Sequence, residues 1–201
     1  MEQKLYTARG LKFLSITFFT LILWELLTQL FFLYSYANNI VSPYLNYGPY
    51  ILMFLAMITF FLGIFLIWKG RSEIGNNHIK SVETGLWIII ILLATASIFA
   101  MFLDRTIWNS LSFFIANLMM MLVSFYFLKN IANKQIRNTI WIAIFMFVIL
   151  NPLIPIIMYV MSNDYYIYLY RFILQILSLV IPYILLAICY YKTYKVTKKQ
   201  S

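Results

Sequence analysis

FLSITFFTLILWELLTQLFFLYSY, residues 13–36, decides what kind of object this chain is. Within it Glu25 stands among leucine, phenylalanine and isoleucine. A helix of about 20 apolar residues, rising about 1.5 Å per residue, crosses the hydrocarbon core of a bilayer. This run is too long for the apolar region of a signal peptide. The segment after it, SYANNIVSPYLN, is a poor cleavage pattern, so we expect a retained helix.

Working outward, the whole chain follows the same rule. Of its 201 residues 64% are hydrophobic and 10% charged, whereas a soluble domain is about half apolar and about a quarter charged. Such a chain cannot cover its apolar area with polar surface, so lipid is part of its solvent. Five further runs follow, at about 49–68, 84–103, 107–128, 139–161 and 167–191. The links between them are short. The expected fold is all-α: one polytopic transmembrane domain over 1–201, with six spanning helices and the lipid bilayer as principal partner.

The net charge of +9 raises the question of nucleic acid, but the distribution answers otherwise. Lys4, Arg9 and Lys12 precede the first run. Lys69, Arg71 and Lys80 lie between the second and third. Lys129, Lys134 and Arg137 lie between the fourth and fifth, and Lys192, Lys195, Lys198 and Lys199 close the chain. In a six-helix arrangement these all fall on one side, and only Arg105 and Arg171 on the other. That bias marks the cytoplasmic side. The expectation is an N-in/C-in protein of the cell (plasma) membrane with no nucleic-acid partner. The opposite side is rich in tyrosine: Tyr34, Tyr36, Tyr44, Tyr47, Tyr50, Tyr159, Tyr165, Tyr166, Tyr168 and Tyr170. An interfacial aromatic belt accounts for them, with Trp68, Trp87 and Trp141 as its inner counterpart; the alternative is a docking surface for a sugar, lipid or partner protein.

The stretch FLGIFLIWKGRSEIGNNHIKSVETG, together with the Ile, Tyr and Asn bias, resembles uncharacterised archaeal multi-pass membrane families. The resemblance carries no catalytic motif and implies no activity. Internally, residues 15–40 laid on 110–135 share nine identities, among them Phe18/Phe113, Leu27/Leu122 and Asn38/Asn133. A three-helix repeat at that offset would be inverted, as in many transporters. The pronounced small-xxx-small pair is Ala96 with Ala100.

Several chemistries are excluded by what is missing. One histidine, His78, cannot supply a multi-histidine metal site, and it reads as an interfacial loop residue. One cysteine, Cys189, excludes an internal disulfide and reads as a buried apolar thiol. The six glycines are scattered, so no phosphate-binding loop is present. No catalytic residues, metal site or cofactor are expected, and the chain does not read as an enzyme.

What remains is a band of polar residues inside the runs. Glu25 lies thirteen residues past Lys12, about 20 Å along the helix. Ser97, Asn117, Asn151 and Gln175 fall at similar depth, and Gln29 lies one turn beyond Glu25 on its face. A carboxylate at a helix centre costs about 3 kcal/mol on insertion scales, so Glu25 should face the bundle. Arg171, with Gln175 one turn below it, is the expected counter-charge. In VILNPLIPIIMY, Pro152 and Pro155 remove amide donors and should kink or open the fifth helix; Pro182 acts once in the sixth.

The leading expectation is a small ion or solute transporter or channel-like protein. Its working parts would be Glu25, Gln29, Asn117, Asn151, Arg171 and Gln175 beside an opened fifth helix. The alternative is a non-catalytic membrane subunit or assembly scaffold that binds other membrane proteins.

Overall fold

The computed structural model describes residues 5–37, 47–102, 105–160 and 167–199. Helices α1 (Leu5–Ala37), α2 (Tyr47–Lys69), α3 (Asn76–Ala100), α4 (Arg105–Leu128) and α5 (Lys134–Val160) run in turn. The last span is composite. It comprises α6 (Ile167–Gln175), a π-helical segment (Ile176–Val180) and α7 (Ile181–Lys199). Six spans are long and apolar enough to cross a membrane. The chain is therefore an all-α polytopic membrane protein. Alternation of the spans puts the start of α1, both basic links and the end of α7 at one end, called here the basic end.

Helix α1 begins eight residues before its apolar run, because a distant carboxylate satisfies its first donors. The first amides of any helix lack intrahelical acceptors. Here Glu73, in a 3-10 turn (Arg71–Glu73) after α2, accepts from the Tyr6 N–H at 3.2 Å and the Thr7 N–H at 3.0 Å. Thr7 Oγ1 donates to the Gly70 carbonyl at 2.9 Å, and the Lys69 ammonium sits 4.2 Å from the Tyr6 ring centre. Asn133 caps α5 from within its own link, accepting from the Ile136 N–H at 2.9 Å.

Between apolar spans in lipid, close packing replaces the hydrophobic effect, and small residues let backbones approach. The seam forms between α1 and α2. A Cβ on Gly10 would lie 2.8 Å from the Gly63 carbonyl oxygen, and one on Gly63 would lie 2.7 Å from Leu14. Ala56, Gly63 and Gly70, seven residues apart, are all buried. The small-xxx-small pair of α3 lies outside this seam, with Ala96 half-buried and Ala100 exposed. Thr17 Oγ1 and Thr59 Oγ1 join the same pair of helices at 3.0 Å.

Helix α1 lies between α2 and α7, α5 packs on α7 and α4, and α3 packs mainly on α4. Ser15 Oγ donates to the Ala187 carbonyl at 3.2 Å, and Ser81 Oγ to the Tyr126 carbonyl at 2.8 Å. The packing does not follow the three-helix repeat. Helix α2 barely touches α3, whereas α5 packs along α6 and the π-helical segment. Trp68, Trp87 and Trp141 are all exposed, as lipid-facing belt residues should be. Of the outer tyrosines Tyr34 and Tyr170 are exposed; the other eight side chains lie outside the described ones.

Candidate functional site

Glu25 and Gln29 share the buried face of α1, 2% and 6% exposed. Gln29 Nε2 donates to Glu25 Oε1 at 2.9 Å. The i, i+4 spacing puts the amide directly over the carboxylate, so part of the acid's desolvation is offset within one helix.

Two further spans complete the cluster. Asn117 on α4 is buried, and its Nδ2 donates to the Phe113 carbonyl at 2.8 Å. Its Oδ1 accepts from the phenol of Tyr183, a fully buried residue near the start of α7. The Glu25 carboxylate is within electrostatic reach of that phenol. The Tyr183 ring packs against Phe18 of α1, 5.9 Å between centres. One carboxylate, one phenol and two amides thus come together from α1, α4 and α7.

The backbone beside Tyr183 is unusual. The Ile181 N–H donates to the Ile176 carbonyl, an i→i+5 bond. Pro182 is the cause we identify. It has no N–H for the Ser178 carbonyl, and its ring would crowd that oxygen in a regular helix. Widening to π geometry relieves the crowding, and such segments concentrate at functional sites. Ser178 is fully buried, its Oγ 3.5 Å from the Gln175 carbonyl. Gln175 Oε1 is buried without a hydrogen-bond partner among the described residues.

The other candidates divide. Asn151 is half-buried. Ser97 is exposed, bonding back to the Leu93 carbonyl at 2.9 Å. The Arg171 side chain lies outside the described residues, as does its expected pairing with Glu25. The opened fifth helix is corrected: α5 runs unbroken through Pro152 and Pro155, and Pro152 is exposed. Membrane helices tolerate proline where neighbours or local adjustment re-satisfy the backbone. The departure from α geometry occurs in the sixth span instead.

His78 is corrected too. It belongs to α3, is 1% exposed, and neither ring nitrogen has a hydrogen-bond partner among the described residues. Cys189 is buried with its thiol 3.8 Å from the Ile136 carbonyl. Among the described residues no three His, Cys, Asp or Glu side chains gather as metal ligands.

Sequence reasoning missed Tyr183. The available signal was its position next to Pro182 in the apolar stretch LSLVIPYILLA. Tyrosine is so frequent here that one more did not stand out.

Six bilayer-length spans, apolar outside and holding a carboxylate within, define a multi-pass α-helical membrane protein. No family model, curated protein or solved structure matches the chain.

Proposed function

We propose that the protein is a small transporter or channel-like protein of the plasma membrane, moving a proton or monovalent cation past Glu25, with both termini cytoplasmic. The observation that carries the reading is the buried carboxylate joined to a polar cluster from three spans. A mid-membrane acid is a functional-site candidate by default. The groups around it suit a proton or a hard cation. The Tyr183 hydroxyl can pass or hold a proton, and Gln175 Oε1 of the same span is a buried oxygen acceptor without a hydrogen-bond partner among the described residues. The π-helical segment takes the part first expected of the fifth helix. The orientation rests on the thirteen basic residues at one end.

The test is flux in reconstituted liposomes, read with an internal pH dye and with cation-sensitive dyes. Wild type should carry one of these ions, and Glu25→Gln should abolish that flux while keeping an unchanged melting profile. Flux equal in wild type, Glu25→Gln and empty liposomes would end the reading.

A second reading, a non-catalytic subunit that binds other membrane proteins, is favoured by α3. Its buried residues are confined to His78, Ser81, Val82 and Gly85, and Trp87, Ile90, Ile91, Leu93, Ile98 and Phe99 are exposed. A stoichiometric membrane-protein partner in mild detergent, with no flux from the chain alone, would select it.

A further inference from the structure

We propose that the basic end of the bundle carries a site for the phosphate headgroup of an anionic phospholipid, between the start of α3 and the end of α4. A pocket of about 230 Å³ lies there. Its walls are hydrogen-bonding or cationic side chains: Asn77, Lys80 and Thr84 from α3, and Tyr126, Lys129 and Asn130 from α4 and the residues just after it. Among the described residues no carboxylate lines it, and Glu83, three residues on from Lys80, is exposed outside the lining.

The pocket is built rather than incidental. Asn130 Nδ2 donates to the Asn77 carbonyl at 2.6 Å, and the Ser81–Tyr126 bond ties the same two walls one turn further in. The Lys129 ammonium lies 5.9 Å from the Tyr126 ring centre. Arg137 Nη1 donates to the Lys129 carbonyl at 3.2 Å, which brings a third cation alongside. Two ammonium groups lining one pocket repel each other, and an anion placed between them removes that cost.

Phosphate chemistry has two sources, a lipid or a soluble phosphate, and the surroundings favour the lipid. Lys80, Thr84, Trp87 and Ile91 follow one another along a single face of α3 at helical spacing. Trp87 and Ile91 are 63% and 58% exposed. A headgroup held by Lys80 and Lys129 therefore has its acyl chains directed along an exposed apolar stripe. Exposed tryptophans place this level at the membrane interface. Basic pockets between spans on the cytoplasmic side are where anionic headgroups dock.

The full chain in mild detergent should retain phosphatidylglycerol in native mass spectrometry and gain thermal stability from it, with phosphatidylcholine doing neither. The Lys80→Gln/Lys129→Gln variant should bind it about tenfold or more weakly, since each basic residue near the headgroups contributes about 1 kcal/mol. Thr84→Trp fills the pocket while keeping every charge, and should also lose the lipid. Lys192→Gln/Lys195→Gln, in the basic tail, should bind as wild type. Undiminished binding by the pocket variants, or equal loss in the tail variant, would overturn the proposal. Protection by glycerol phosphate equal to that by the lipid at matched concentration would assign the pocket to soluble phosphates and overturn the lipid reading.

Discussion

The phenol of Tyr183 donates to Oδ1 of Asn117, joining the fourth and sixth spans through two side chains that are both buried. The bond is the cross-link of the polar cluster, because the Glu25 carboxyl lies within electrostatic reach of the same phenol. Interhelical hydrogen bonds in membranes contribute about 0.6 kcal/mol on average and up to about 1.7. This one should lie toward the upper end, since breaking it strands a buried carbonyl oxygen. Tyr183→Phe and Asn117→Leu should each lower unfolding stability by about 1–2 kcal/mol. A double-mutant cycle in denaturant melts should show the two effects to be strongly non-additive. Simple additivity would mean that the bond contributes nothing.

Pro182→Ala should act in the opposite direction on stability. Alanine returns an N–H for the Ser178 carbonyl and removes the ring that widens the helix. The segment can then revert to α geometry, at a gain of about 1–3 kcal/mol. Hydrogen exchange across 176–182 should slow, the melting temperature should rise, and ion flux should fall. Full flux from a stabilised variant would detach the π-helical segment from function.

At the basic end, Glu73→Ala should release the first turn of α1. Its carboxylate accepts from the Tyr6 and Thr7 amides and complements the positive end of the helix dipole. The loss should be about 1 kcal/mol, localised by faster hydrogen exchange at residues 5–8, with Glu73→Gln intermediate. Unchanged exchange there would show that the cap is dispensable.

His78 should tolerate an apolar replacement. An imidazole buried with no hydrogen-bond partner among the described residues carries its desolvation uncompensated. Replacing a polar group by an apolar one of similar shape can then be neutral or stabilising. His78→Phe should melt at or above the wild-type temperature, and His78→Ala below it because a cavity is left. A Phe variant markedly less stable than wild type would show that the imidazole makes a contact the fold needs.

Local chemistry alone determined much of this protein. Whether a segment can cross a bilayer depends on the hydropathy of about 20 consecutive residues, so residues 13–36 and the five later runs were legible one by one. The inward facing of Glu25 and Gln29 was legible for the same reason, because lipid cannot solvate a carboxylate. The faces of the other helices were not. In a membrane both the lipid side and the protein side of a span are apolar, so hydrophobicity no longer points to the core. Which helices adjoin is decided by steric fit, as where Gly10 meets Gly63 and excludes even a methyl group. The partnership of Tyr183 with Asn117, sixty-six residues apart, follows from that fit. So does the burial of His78, which the polar residues beside it in the chain gave no reason to expect.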